Sequence, residues 1–162
     1  MEPAATLRVA TPADQDFLFA VYASTRDEEL RLWGWDENQK RMFLEMQFRG
    51  QSQQYSLCYP QADSSIILFG DVQAGRLLVD RSGEEITLVD IALLPEYRNR
   101  GIGTALIQSL LEEATGFQKN VALHVLRASA AARLYERLGF TKVSEDGIYL
   151  EMKKIPGEYR HD

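Results

Sequence analysis

A short basic turn containing two glycines lies past the middle of the chain, at Arg98-Asn99-Arg100-Gly101-Ile102-Gly103-Thr104. An apolar, β-rich run (residues 86–94) precedes this turn, and an apolar helical pattern follows it. The first N–H groups of a helix lack intrahelical partners, and the helix dipole favours negative charge beside them. The two glycines allow a ligand to approach the backbone, and the two arginines add positive charge. The turn therefore predicts an anionic ligand, for which pyrophosphate is the natural candidate.

Other phosphate-binding motifs fit this turn less well. A mononucleotide P-loop requires G-x-x-x-x-G-K-[ST], and no Gly-Lys pair occurs here. A dinucleotide fingerprint requires G-x-G-x-x-G, but Leu106 stands where the third glycine belongs. A tight strand-to-helix turn, in which glycine serves geometry alone, stays open as an alternative.

Two blocks of the sequence resemble the GNAT (Gcn5-related) N-acetyltransferase superfamily. The run Arg98 to Gly103 is similar to its Q/R-x-x-G-x-G/A signature. The run Ala131-Ala132-Arg133-Leu134-Tyr135-Glu136-Arg137-Leu138-Gly139-Phe140 resembles its A-x-x-L-Y-x-x-x-G-F motif. The first 60 residues carry no specific match. The resemblance implies an acetyl-CoA-dependent N-acetyltransferase in which acetyl-CoA is a co-substrate.

The resemblance also implies roles for individual residues. The turn from Arg98 to Thr104 would bind the pyrophosphate of the donor, and its pantetheine arm would pair with Ile91, Ala92 and Leu93. The N–H group of Leu93 would then donate to the developing oxyanion. Tyr135 would protonate the leaving thiolate as general acid, since a phenol keeps its proton at neutral pH. Spacing alone favours Tyr135 as a core aromatic residue of an amphipathic helix, and the motif match favours the catalytic role.

A general base is harder to identify. Family members often carry Glu or His at positions that correspond here to Thr87 or Val89, and neither can accept a proton usefully. Asp90 is the nearest carboxylate and is the candidate, although strand alternation turns it to the opposite face. It could equally be a buried acid satisfied by its neighbours, with a water chain leading to a remote base. The family's frequent pantetheine-contacting asparagine is replaced by Ala128. A catalytically silent acyl-CoA-binding module is therefore the alternative function.

Composition indicates one compact enzyme domain over residues 1–162. The chain is 45% hydrophobic, has a net charge of −6 and contains one cysteine. The negative charge argues against nucleic-acid binding and suits a cationic amine acceptor, either a small molecule or a protein amine. No apolar run is long enough for a membrane helix, no cluster has metal-ligand spacing, and a cytoplasmic location is the default expectation. The apolar C-terminal hairpin could pair with a second copy as a homodimer.

Periodicity predicts an α/β (α+β) fold in the order β-α-α-β-β-β-α-β-α-β-β. As in the family it resembles, about seven strands would form one mixed, mostly antiparallel sheet with about four helices. The first helix is expected to end near Ser24, and Ala74-Gly75 is expected in a turn. His124, in the middle of a strand, is expected in the core. Trp33 and Trp35 could contact an aromatic or cationic amine, or they could pack on the core.

Overall fold

The computed structural model describes residues 4–156 and has the predicted order of strands and helices. The α-helices are Gln15–Arg31 (α1), Glu37–Cys58 (α2), Ile102–Gly116 (α3) and Ala130–Arg137 (α4). The strands are Ala5–Val9 (β1), Asp63–Phe69 (β2), Val72–Asp80 (β3), Ile86–Leu93 (β4), Val121–Leu126 (β5), Thr141–Glu145 (β6) and Tyr149–Lys154 (β7). Short 3-10 helices occupy Pro12–Asp14 and Pro95–Tyr97. The expected domain limits, 1–162, extend beyond the described residues at both ends, and they stay a prediction.

The seven strands are hydrogen-bonded in the order β1-β2-β3-β4-β5-β7-β6. The pairs β1–β2, β5–β7 and β6–β7 are antiparallel, whereas β4 and β5 are parallel. The parallel register joins Ile86 to Val121 and Leu88 to Leu123. The predicted mixed sheet, mostly antiparallel, is confirmed.

The chain divides into two compact units. The first contains Met1–Leu78 and Asp90–Gly103, and the second contains Val79–Val89 and Thr104–Asp162. The first unit buries one stripe of each long helix and the inner residues of its strands, namely Leu18, Val21, Leu30, Leu44, Ile66, Ile67, Ala74, Leu77 and Leu78. Among the described residues no helix is both long and apolar enough to cross a membrane.

The first helix is longer than the sequence indicated. Instead of ending near Ser24, α1 continues to Arg31, and Leu30 in its last turn is 1% exposed. Two ion pairs with helical spacing lie along the added turns, Arg26–Glu29 at 3.4 Å and Arg31–Asp27 at 2.9 Å. The charged residues that suggested a loop belong to the outer face of a helix whose inner face is apolar.

The expectation of a turn at Ala74-Gly75 is wrong, because both residues lie inside β3. A Cβ atom at Gly75 would collide with the carbonyl oxygen of Ala92 and would lie 3.0 Å from the Cα atom of Leu93. The glycine is therefore explained by the close approach of two strands and not by a change of chain direction.

Side-chain hydrogen bonds stabilise the start of α2 and the 3-10 helix that precedes α1. At the start of α2, the Gln39 N–H donates to Asp36 Oδ1 at 2.8 Å, and the Gln39 side chain accepts from the Asp36 N–H at 3.1 Å. Before α1, Asp14 Oδ2 accepts from the Thr11 N–H at 2.7 Å. Arg8 donates two hydrogen bonds of 2.9 Å to the same carboxylate. These donors hold the pKa of Asp14 well below its usual range.

The second unit is built on β5, β7 and α3. Its buried residues are Val79, Ile86, Leu88, Ile107, Leu110, Ala114, Val121, Ala122, Leu123, Val125, Ala132, Tyr135, Phe140, Leu150 and Met152. The hairpin of β6 and β7 contains a bulge between Lys142 and Ser144. The expectation that His124 lies in the core is wrong. Its side chain is 54% exposed, and its Nε2 atom lies 3.3 Å from Glu151 Oε2. Leu126, two residues further along the same face of β5, is also exposed.

Candidate active site

The basic turn has a defined backbone path between β4 and α3. Leu94 continues the sheet contact beyond β4, because its N–H donates to the Ala74 carbonyl oxygen at 2.8 Å. After the 3-10 helix Pro95–Tyr97, Asn99 and Gly101 both adopt left-handed backbone angles, with φ of 61° and 80°. Glycine adopts such angles without steric cost, and asparagine is among the residues that tolerate them. The chain reverses sharply through these two residues and enters α3 at Ile102.

Arg98 ties this turn to two other parts of the first unit. Its Nε atom donates to the Leu93 carbonyl oxygen at 2.9 Å, and its Nη2 atom donates to Ser24 Oγ in α1 at 3.2 Å. The end of β4, the turn and α1 are thereby connected through one side chain. Arg98 thus serves first to fix the shape of the turn.

Arg100 is held over two aromatic rings. Its guanidinium carbon lies 5.8 Å from the centre of the Phe69 ring and 5.7 Å from that of Tyr97. The two rings pack edge to face, with centres 5.9 Å apart. Cation–π contact of this kind orients a cation without neutralising it, so the charge stays available to an anion.

The start of α3 is open. A Cβ atom placed on Gly101 or Gly103 would have no neighbour within 4 Å. Ile102 between them is 4% exposed and anchors the helix start in the core. The first turn, which includes Thr104, contains no acidic residue. Its backbone N–H groups and the helix dipole therefore meet no opposing negative side chain, and the space in front of them could hold an anion.

The predicted pantetheine-binding stretch lies at the end of β4. Ile91, Ala92 and Leu93 are all partly buried. They lie beyond the parallel register with β5, whose last pair on β4 is Leu88. Their assignment to a ligand stays a prediction.

Asp90 faces Arg76 of β3, with 3.9 Å between Asp90 Oδ2 and Arg76 Nε. Its carboxyl also accepts a hydrogen bond from the Ile91 N–H. Burial raises the pKa of Asp90, and the arginine and the N–H group oppose that rise in part. A carboxyl with a raised pKa suits proton transfer, but its partner Arg76 equally fits the interpretation of a satisfied structural acid.

Tyr135 is in α4, in the second unit. Ser129 caps this helix by accepting from the Ala131 N–H at 3.1 Å. The Tyr135 side chain is buried, and its ring packs edge to face on Phe140 with centres 5.5 Å apart. This packing holds the ring in one position, which is compatible both with a general acid and with a core residue. The catalytic role of Tyr135 stays a prediction.

Trp33 and Trp35 join Phe43 in a cluster of mutually perpendicular rings. The three ring centres are 5.1 to 5.6 Å apart. Trp33 is nevertheless 50% exposed, so one indole has both a packed edge and a solvent face. The two interpretations of this pair are therefore compatible with each other.

Most of the predicted site residues lie in one of the two compact units. Asp90, Ile91, Ala92 and Leu93 and the turn up to Gly103 belong to one compact unit, and Tyr135 belongs to the other. Sequence reasoning missed Arg76. A charged residue within the apolar strand sequence Gly75-Arg76-Leu77-Leu78 could have indicated it. Arginine is rarely buried unless it is paired with another group.

Comparison with known proteins agrees with these observations. A family model described as an acetyltransferase (GNAT) domain matches residues 62–142, half of the 162-residue chain. This chain belongs to the GNAT acetyltransferase family. The match includes the basic turn and Tyr135, and it begins after α2. The resemblance inferred from the two motifs is confirmed.

Individual relatives match over shorter stretches. The chain is 40% identical over 65 residues to the [ribosomal protein bS18]-alanine N-acetyltransferase of Escherichia coli (strain K12). That stretch is 38% of this chain and 43% of the relative, so less than half of each protein is compared.

Solved structures extend the likeness of fold over nearly the whole chain. The PaiA N-acetyltransferase of Thermoplasma acidophilum, in complex with coenzyme A, matches with a TM-score of 0.69 and 16% identity over 94% of this chain and 99% of that one. The ribosomal-protein-S18-alanine N-acetyltransferase of Escherichia coli matches with a TM-score of 0.60 and 18% identity over 98% of both chains. The predicted GNAT-like fold is confirmed.

Proposed function

We propose that this protein transfers an acetyl group from acetyl-CoA to a primary amine by direct attack in a ternary complex. The observation that carries the proposal is the shape of the turn between β4 and α3. Asn99 and Gly101 reverse the chain in left-handed conformations, Arg98 braces the turn on Leu93, and open space lies at Gly103. Family membership and a neighbouring fold solved with coenzyme A support the same ligand.

The reaction divides the site into binding and chemical parts. The neutral amine attacks the thioester carbonyl carbon, the carbon–sulfur bond breaks, and the amide and free CoA are formed. In this proposal the N–H groups from Arg98 to Thr104 bind the pyrophosphate, and Ile91, Ala92 and Leu93 pair with the pantetheine arm. The Leu93 N–H donates to the oxyanion as negative charge develops there. Tyr135 supplies the proton that the thiolate takes up.

Asp90 is proposed as the group that receives the amine proton. Burial, which raises its pKa, favours this use because a carboxylate with an ordinary pKa is a weak base at neutral pH. The neighbouring Arg76 opposes it by stabilising the ionised form.

A primary amine of a protein is one acceptor class that the relatives support. The partial relative carries a name that specifies an alanine of a ribosomal protein. A small amine is the other acceptor class, and the half-exposed Trp33 offers a ring face to such a cation. A peptide that begins with alanine and a polyamine, each assayed for acetylated product by mass spectrometry, distinguish the two classes.

A catalytically silent acyl-CoA-binding module is the second candidate. Thr87 and Val89 provide no proton acceptor, and Asp90 is engaged by Arg76. This candidate predicts binding of acetyl-CoA without product from any amine. Product formation with a single acceptor would eliminate it.

Calorimetry with acetyl-CoA tests the binding site that both candidates share. The wild-type protein is expected to bind, and Gly103→Glu is expected to abolish binding because it places a carboxylate in front of the free N–H groups of α3. Gly116→Glu is the matched control, since it adds the same side chain to open space at the other end of the same helix. Equal binding by wild type and Gly103→Glu, both folded by circular dichroism, would contradict the proposed site.

A further inference from the structure

A cavity of about 330 Å³ lies in the first unit, between α1, α2 and the strands β2 and β3. Its wall combines aromatic rings from Phe48, Tyr55 and Tyr59 with the hydroxyl groups of Ser52 and Ser64. A volume of this size is at the lower end of the range for small-molecule sites, which are typically apolar concavities with a few polar groups.

Arg76 is the one charged residue among the described residues that line this cavity. The residue is 9% exposed, and its buried Nε atom has no hydrogen-bond partner among the residues that the structure describes. Its Nε atom is inaccessible and turned toward Asp90, which lies 3.9 Å away, beyond hydrogen-bond distance. The guanidinium has five N–H donors. Its Nε edge faces Asp90 in a long ion pair, and the residue also lines the cavity.

Such an arrangement is costly unless something completes it. A buried donor without an acceptor loses the hydrogen bonds that it made to water, and the loss is larger for a charged group. Within residues 4–156, no carboxylate lines the cavity to compensate the charge of the arginine. Asp90 compensates it incompletely, because its carboxyl oxygen lies 3.9 Å from the Nε atom, beyond hydrogen-bond distance. An acceptor with negative charge in the cavity would complete the hydrogen bonds of the guanidinium.

We propose that this cavity binds a small organic anion whose carboxylate or phosphate group is held by the guanidinium of Arg76. The planar guanidinium presents its donors in a fork that matches both oxyanions. The aromatic rings would contact the apolar part of the ligand, and the serine hydroxyls would take the remaining oxygen atoms. Binding here does not depend on acetyl-CoA, and its test does not involve acetyl transfer.

Benzoate is a suitable probe because it combines a carboxylate with one ring. Protein-detected NMR titration is expected to show saturable shifts for benzoate, confined to the cavity wall. Benzamide, which has the same shape but no charge, is expected to bind at least tenfold more weakly. Inorganic phosphate, titrated separately, shows whether a phosphate serves as well as a carboxylate, and binding of either anion supports the proposal.

Two variants test whether the anion binds to Arg76 inside the cavity. Arg76→Met keeps the length of the side chain but removes the charge, and it should weaken benzoate binding at least tenfold. Ser52→Phe should fill the cavity and abolish binding while Arg76 stays in place, so it is informative even if Arg76→Met fails to fold. Arg41→Met, on the exposed side of α2, is the control that loses one positive charge elsewhere and should bind as wild type does.

The overturning results are equally specific. If neither benzoate nor phosphate binds wild type saturably, water alone satisfies Arg76 and the proposal is wrong. Unchanged affinity in both Arg76→Met and Ser52→Phe would place any bound anion elsewhere, and the proposal would fail on that result too.

Discussion

Arg98 and Arg100 make contacts within the protein that the sequence did not indicate. Their charge beside a helix start predicted an anion site, and the turn has the open shape that such a site requires. The structure adds that Arg98 first braces the Leu93 carbonyl and that Arg100 stacks on two rings. Phe69 is far from Arg100 in sequence, so no local pattern could have indicated that contact.

Tyr135→Phe is expected to lower turnover by about 10- to 10⁴-fold, the size of a general acid–base contribution. The ring and its edge-to-face contact with Phe140 are kept, so acetyl-CoA affinity should change little. Steady-state kinetics with calorimetry on the same preparations measures both quantities.

Tyr149→Phe, which removes the hydroxyl group from an exposed tyrosine of β7, controls for the loss of a hydroxyl group in general. If Tyr135→Phe turns over as fast as wild type, this tyrosine is a core residue and another group protonates the thiolate.

Gly75→Ala is expected to destabilise the protein by about 1–3 kcal/mol, the usual cost of overpacking. The added methyl group would meet the Ala92 carbonyl and push on Leu93, so acetyl-CoA affinity should fall as well. Urea unfolding and calorimetry measure the two effects. Gly50→Ala in α2 has open space for its Cβ and should instead stabilise by roughly 0.5–1 kcal/mol. A Gly75→Ala protein as stable as wild type would show that the strands can separate without cost.

At the scale of elements, local features can be predicted from the sequence and tertiary ones cannot. The reciprocal cap of Asp36 and Gln39 involves only residues at the start of α2, so a sequence pattern can indicate it. The end of α1 was missed because it depends on Leu30 finding a place in the core, which is a tertiary effect. Gly75 was misread for the same reason, since the crowding comes from a different strand.

The start of α1 should make stability depend on acid. The pKa of Asp14 is lowered in the folded state, mainly by its hydrogen bonds with Arg8, so folding favours the ionised form. This stabilisation is complete above the unfolded-state pKa of about 4 and is lost as the pH falls below it toward the folded-state value. Asp14→Asn should therefore unfold at lower urea concentration than wild type at pH 7, and the difference should shrink near pH 3.

Asp16→Asn removes the same charge from an exposed neighbour and controls for net charge. A difference between wild type and Asp14→Asn that is constant from pH 7 to pH 3 would show that the carboxylate contributes nothing through its ionisation.

At the scale of the whole molecule, order and topology were predictable and the cavity was not. The element order follows from periodicity and turn residues, and two motifs were enough to indicate the family. The cavity requires α1, α2, β2 and β3 to converge around Arg76, and no local sequence pattern indicates contacts between residues so far apart in the chain. The family model matches residues 62–142, which include Arg76 but not α1 and α2. These two helices contribute half of the residues that line the cavity.

The position of the single cysteine gives a practical means to observe that cavity. Cys58 is exposed at the last residue of α2, and the next residue, Tyr59, lines the cavity wall. A thiol-reactive fluorophore would attach at this one position without prior mutagenesis. Its emission could then follow occupation of the cavity in real time, and a library of small acids could be screened before any acceptor amine is known.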